Sequence, residues 1–90
     1  MAEAVIITDT DTMVVHHNPA AIKLLEIQTD PVIGKPLAAS IKDDNAVNMV
    51  TESLEKKVVV TREFPPGKIS RKFLRAHCSP VRSASGKVLG

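Results

Sequence analysis

Three histidines and the single cysteine are the residues of this sequence whose chemistry most readily suggests a site. His16 and His17 are adjacent, and His77 directly precedes Cys78. Imidazole and thiolate are ligands that zinc prefers, so the four side chains resemble a metal set by type. Consecutive residues of a strand point to opposite faces of a sheet, however, so neither pair presents both members to one ion. We therefore predict no metal site, one inward-facing member of the first pair, and an exposed His77.

Two aspartates are the other candidates for chemistry. Asp9 and Asp11 are two residues apart and could share a strand face as a carboxylate pair. Aspartates in this setting more commonly form a turn, because their side chains bond to nearby backbone amides. The sequence contains no phosphate-binding loop, no glycine-rich dinucleotide turn, no Cys-x-x-Cys and no His-Glu-x-x-His. We predict no catalytic residues and classify the chain as a non-enzyme.

The elements that would position these residues begin with two short runs rich in β-branched residues. Residues 4–8 and 13–17 predict two strands joined by a tight turn. Asn18 can then cap a helix with Pro19 at its first position. Farther along, Thr29 or Asp30 could cap a single turn that ends at Gly34. In the stretch HHNP we therefore expect Asn18, rather than the histidines, to be the structurally demanding residue.

A longer helix and a return to strands follow. Asp43 opens a helix that should reach about Lys57, with one apolar face formed by Ala46, Met49, Val50 and Leu54. After it, VVVTREF, RKFLRAHCSPV and KVLG predict three strands separated by PPGK and SASG turns. This order predicts an α+β fold in which a five-stranded antiparallel sheet carries helices on one face.

Composition and charge restrict the function further. The 90 residues provide one small core, in which the only aromatic side chains are two phenylalanines. No apolar run approaches the roughly 20 residues of a membrane helix, so we expect a soluble segment without membrane contact. The lone cysteine excludes an internal disulfide and fits a reducing compartment. Net charge is +2, with all ten acids at or before Glu63 and six basic residues after it. Such a basic patch could meet nucleic acid, but without stacking aromatics we favour a solvated or covered face.

Four segments in this order resemble a PAS domain, the sensory module of bacterial histidine kinases and related signalling proteins. They are VIITDTD, NPAAIKLL, VIGKPL and CSPVRSASGKVLG, and together they span nearly the whole chain. The resemblance implies one domain over residues 1–90, a sheet in the order 2-1-5-4-3, and a last strand truncated at Gly90. Thr12 departs from the glycine that the family commonly has in its first hairpin, and a β-branched residue there disfavours positive φ.

The resemblance also implies a pocket between the sheet and the helices, lined here by Val50, Leu54, Val60, Leu74 and Cys78. Relatives that bind haem often place the iron-ligating histidine on the long helix, and residues 45–57 contain none. Flavin photoreceptors of the light-oxygen-voltage type carry a reactive cysteine in an Asn-Cys-Arg-Phe segment, whereas Cys78 precedes Ser-Pro. We therefore expect no haem or flavin, and a small-molecule ligand of unknown identity if any is bound.

Three functions follow from these features. The first is a sensory or relay module of a bacterial signalling protein, such as a sensor histidine kinase, that responds to a small ligand. The second is a ligand-free dimerisation scaffold, and the third, which we disfavour, is a module whose basic face binds nucleic acid. Output activity would lie in flanking signalling domains, and the segment would be cytoplasmic even within a membrane-anchored protein. Met13, Val15 and Phe73 are apolar on the expected outer face of the sheet, which predicts a homodimer.

Overall fold

The computed structural model of the chain describes residues 3–27, 31–67 and 69–90. Two short strands come first, a helical middle follows, and two further strands precede a terminal hairpin. The elements are β1 (Ile6–Thr8), β2 (Val14–His17), α1 (Pro19–Leu24), α2 (Leu37–Ser40), α3 (Asp44–Lys56), β3 (Val60–Phe64) and β4 (Leu74–Cys78). Within the described ranges, no helix is both long and apolar enough to cross a membrane.

Asn18 joins the first hairpin to the first helix. Its Oδ1 accepts hydrogen bonds from the Ala21 amide and from the Val5 amide, each at 3.0 Å. Its Nδ2 donates to the carbonyl oxygen of Glu3, and its own amide donates to the carbonyl oxygen of Val5 at 3.1 Å. The predicted cap is therefore confirmed, and the same side chain also fixes the start of β1.

The turn between β1 and β2 is organised by Asp9. Its Oδ1 accepts hydrogen bonds from the amides of Asp11 at 2.9 Å and Met13 at 3.0 Å, so it forms a turn as predicted. Thr12 adopts a φ of 61° in this turn, although it is β-branched. Left-handed backbone is costly for such a residue, and the Thr12 amide bond to the Asp9 carbonyl at 3.1 Å helps to hold it there.

The long helix α3 matches its sequence signals at both ends. Asp43 is the N-cap and accepts from the Ala46 amide at 3.2 Å, while Lys57 ends the helix in a left-handed conformation. Ala46, Met49 and Ser53 are the buried residues of its inner face.

Gly34 takes the positive φ of 86° that was expected of it, whereas the predicted cap at Thr29 or Asp30 lies outside the described residues.

The second hairpin pairs β3 with β4 over five residues in a continuous register, from Val60 opposite Cys78 to Phe64 opposite Leu74. Along β4 the half-buried residues Leu74, Ala76 and Cys78 alternate with exposed neighbours. This is the alternation that the sequence predicted, and it places the apolar face toward α3.

The single five-stranded sheet is the part of the fold prediction that was wrong. The described strands form two separate two-stranded antiparallel sheets, β1–β2 and β3–β4. Residues of the expected fifth strand do pair with Val81, the last residue of the predicted fourth strand: Leu89 donates to the Val81 carbonyl at 2.7 Å, and Val81 donates to the carbonyl of Gly90 at 2.8 Å. This agrees with the predicted neighbourhood of strands 4 and 5, but these residues form no ladder with β1 among the described strands. Gly90 lies so close to the backbone of Thr8 that a side chain at position 90 would collide with the carbonyl oxygen of Thr8.

An apolar core joins the helices to both hairpins. Its members come from β2, from α2 and the loops beside it, from α3 and from β3. Among them Phe64 is aromatic and the others are not. The cluster consists of Val14, Ile27, Val32, Leu37, Ile41, Ala46, Met49, Val60 and Phe64. Burial of these aliphatic side chains holds α2 and α3 against the strands.

Candidate functional site

A cleft of about 440 Å³ lies between the two hairpins and beneath α3. Its walls come from β1, from β4, from the inner face of α3 and from the segment that ends α1. Most of the lining side chains are aliphatic. The α3 side is formed by Ala46, Met49, Val50, Ser53 and Leu54. The cleft is therefore mainly an apolar space, bounded by elements from both ends of the chain.

The cleft borders both β1 and β4. Residues from both faces of these strands line it: Ile6 and Ala76 from the inner face, and Ile7 and His77 from the outer face. A pocket under a continuous sheet would be lined by inward-facing residues alone. The cleft therefore reaches the edges of both strands.

Four of the five predicted pocket residues lie on the wall of the cleft. Val50 and Leu54 reach it from α3, and Leu74 and Cys78 reach it from β4. Val60 does not line the cleft; it is buried in the core at 7 % exposure, opposite Cys78 in the register of the second hairpin. Phe64, the other buried residue of β3, belongs to the same core cluster but also lines the cleft.

Several wall residues were not predicted from the sequence. They are Leu24 and Leu25 at the end of α1, Leu37 and Ile41 around α2, and Ile69 between β3 and β4. Leu24 and Leu25 recur at helical spacing after Ala21, but their approach to the cleft, like that of the other three, depends on tertiary packing that the sequence does not indicate.

Ser53 is the buried polar residue of the α3 wall. It is 1 % exposed, and its hydroxyl donates to the Val58 carbonyl at 2.7 Å. Its position, four residues after Met49 on the apolar face, was a signal available in the sequence. Since the hydroxyl proton is already engaged, Ser53 offers a ligand an acceptor rather than a donor.

The histidines lie on different faces, as predicted. His17 is half-buried, and its Nδ1 lies 3.1 Å from the Asn18 carbonyl oxygen. His16 is exposed and lies opposite Ile7 of β1 in the register of the first hairpin. His77 is exposed, and its Nδ1 lies 3.3 Å from the hydroxyl of Thr61. Among the residues that the structure describes, no three His, Cys, Asp or Glu side chains form a group able to hold a metal ion.

Ion pairs lie around the cleft rather than within it. The Glu52 carboxylate accepts a hydrogen bond from Lys56 at 3.1 Å and also pairs with Arg62 of β3. The hydrogen bond and charge of Lys56, followed by the charge of Arg62, lower the pKa of Glu52 below its usual 4.5. Glu63 and Arg75 pair across the second hairpin at 3.4 Å. These contacts tie α3 to β3 and β3 to β4.

The outer surface carries exposed apolar side chains. Phe73 is 58 % exposed and Val15 is 48 % exposed, while Met13, the third residue of the predicted outer face, is half-buried. Val15 is the residue left unpaired where the register of β1 and β2 shifts. Val15 belongs to β2 of the first sheet, whereas Phe73 directly precedes β4 of the second.

The PAS fold family matches this chain over residues 1–90. Among solved structures, the PAS domain of the histidine kinase ThkA is similar, with a TM-score of 0.74 and 21 % identity over 93 % of this chain and 85 % of that one. A form of the same domain with two phenylalanines replaced by methionine gives a TM-score of 0.72 and 20 % identity, over 88 % and 80 % of the two chains. At these identities the likeness concerns the fold. No curated protein matches the chain.

Proposed function

The chain belongs to the PAS family of sensory modules, and we propose that it senses a small molecule in the cleft and relays its presence to an attached output domain. The output domain would be that of a bacterial signalling protein, such as a sensor histidine kinase. Kinase or other catalytic activity would then lie outside these residues. The single observation that supports sensing is the apolar cleft of about 440 Å³, since binding sites for small molecules are typically concave, mostly apolar and of this size.

The position of the cleft also supports a relay. It lies where α3, β1 and β4 meet, so an occupant would contact both hairpins and the long helix at once. A ligand shifts a conformational equilibrium only by its differential contacts with the two states. A molecule that contacts both sheets would bind more tightly to the conformation in which the separation of the sheets fits it, and would thereby favour that conformation.

Binding of an uncharged fluorescent probe tests the sensing function. N-phenyl-1-naphthylamine should bind the purified protein with increased emission, because the cleft removes it from water. Val50→Phe, which fills part of the α3 wall, should weaken binding, while the exposed helix substitution Asn48→Ala should leave it unchanged. Failure of the wild-type protein to bind the probe, or equal binding by the Val50 variant, would count against a ligand cleft.

Self-association is a second candidate function, favoured by the exposure of Phe73 and Val15. We propose that a second copy of this chain covers these exposed side chains, forming a homodimer. Sedimentation equilibrium from micromolar to millimolar concentration should show a dimer that Phe73→Glu abolishes. Ile33→Glu, which changes an equally exposed apolar residue in the loop between α1 and α2, should leave the dimer intact. A monomer at all concentrations would contradict this proposal.

A further inference from the structure

We propose that a contact between Glu26 and Arg71 acts as a latch that controls how an uncharged apolar molecule enters and leaves the cleft. The inference rests on the proposed sensing function, and it adds the chemical class of the ligand and a means of controlling access. It arises from a contact between two segments of the cleft wall that are distant in sequence.

The class of ligand follows from the charges at the wall. Arg75 is the cationic side chain on the β4 side, and its guanidinium already pairs with Glu63 at 3.4 Å. Glu3, which also lines the cleft, would repel an anion. A buried anion needs a paired cation, and an anion in this cleft would have to replace Glu63 as the partner of Arg75 and lie near the carboxylate of Glu3. An uncharged, mainly apolar molecule is therefore the occupant that this cleft favours.

The latch is a two-point contact. The Oε2 of Glu26 accepts a hydrogen bond from the backbone amide of Arg71 at 2.8 Å, and its Oε1 lies 3.1 Å from Nε of the same residue. The residues are 45 positions apart. Both carboxylate oxygens of Glu26 therefore contact Arg71, which lies in the connection between β3 and β4.

The contact joins two parts of the cleft wall. Glu26 directly follows Leu25, and Arg71 lies two residues after Ile69; both Leu25 and Ile69 line the cleft. Release of the carboxylate would free the β3–β4 connection at Arg71 from the end of α1. The two apolar side chains could then separate and widen this side of the cleft.

Two features suit the contact to a latch rather than to a fixed support. Glu26 has a φ of 53°, a left-handed conformation that is unfavourable for a residue with a side chain and is held by surrounding contacts. The pair is also solvent-exposed, with the Arg71 side chain 92 % accessible and that of Glu26 37 % accessible. Exposed pairs are weak and are screened by salt, so this contact can open readily.

Stopped-flow release of N-phenyl-1-naphthylamine tests the latch. Glu26→Gln and Arg71→Gln should each accelerate release about two- to five-fold, the range expected from loss of an exposed ion pair. High salt should accelerate release from the wild type but not from the variants. Glu52→Gln, which removes ion pairs with Lys56 and Arg62 that do not line the cleft, is the matched control and should leave the rate unchanged.

Two further measurements separate the possible failures. Hydrogen exchange of the Arg71 amide should be faster in Glu26→Gln than in the wild type without any ligand present. 8-Anilinonaphthalene-1-sulfonate, the same ring system with a negative charge, should bind more weakly than the uncharged probe. No binding of the uncharged probe would overturn both the sensing function and the latch. Binding with unchanged rates and unchanged exchange would overturn the latch alone, and equal affinity for both probes would overturn the ligand class.

Discussion

The two hairpins that border the cleft are stabilised by different interactions. In the first, Asp9 and Asn18 use their side chains to bond backbone groups on either side of a three-residue β1, and the register shifts between Ile7 and Thr8. The second has five paired residues in continuous register, with exposed side-chain contacts such as Glu63 with Arg75 across it. The first hairpin should therefore depend on individual polar residues, and the second should not.

The largest effect that this comparison predicts is for Asn18→Ala. The change removes the helix cap and also the acceptor of the Val5 amide, so we expect a loss of about 2 kcal/mol of unfolding free energy. Urea unfolding measures it. Asn48→Ala, at an exposed position of α3, is the matched control and should cost less than about 0.5 kcal/mol. Equal losses for the two substitutions would show that the first hairpin does not rely on Asn18.

Asp9→Ala should have the next largest effect. It removes the acceptor of the Asp11 and Met13 amides, and a loss of about 1 kcal/mol is expected for these hydrogen bonds. Asp11→Ala removes a nearby exposed carboxylate and should change stability little. Thermal or urea unfolding of both variants decides the matter, and an Asp11 variant as unstable as the Asp9 variant would contradict the role given to Asp9.

Thr12→Gly should stabilise the protein. Glycine adopts the φ of 61° at this position without the clash that threonine experiences, although it also raises the entropy of the unfolded chain. The expected net gain in unfolding free energy is about 0.5 kcal/mol. It is smaller than the roughly 1–2 kcal/mol that left-handed backbone costs a residue with a side chain, because of that entropy. Thr10→Gly, in the same turn, should instead destabilise. A loss of stability for Thr12→Gly would mean that its hydroxyl bond to the Asp11 carbonyl outweighs the backbone strain.

The smallest effect should come from Glu52, whose pairs join α3 to the second hairpin. Because its pKa is lowered in the folded state, its contribution is present above pH 4.5 and is lost as the pH falls below that value. The difference in urea midpoint between the wild type and Glu52→Gln should therefore be larger at pH 7 than at pH 3. Glu55→Gln, an exposed residue of the same helix, provides the comparison. A difference that does not vary with pH would rule out this linkage.

Local signals in the sequence predicted α1, α3 and the faces of β4, whereas the short helix α2 was not predicted. Asp43 and Lys57 mark the ends of α3, Asn18 marks the start of α1, and the alternation of β4 predicts which of its residues face the core. These features depend on neighbours within a few residues, because capping bonds and strand periodicity are short-range. The grouping of Val50, Leu54, Leu74 and Cys78 around one pocket came instead from the resemblance to the PAS family, because short-range signals do not bring α3 and β4 together.

Only the tertiary structure decided how the sheet is divided and where the cleft lies. Leu89 and Gly90 pair with Val81, at the end of the predicted fourth strand, but form no ladder with β1 among the described strands, and local sequence does not rank such alternatives. Val60 lies in the core rather than on the cleft because β3 packs on that cluster, although it has the same apolar character as the residues of the wall. The contact between Glu26 and Arg71 depends on the approach of segments 45 residues apart, and long-range proximity of this kind is set by packing of the whole chain.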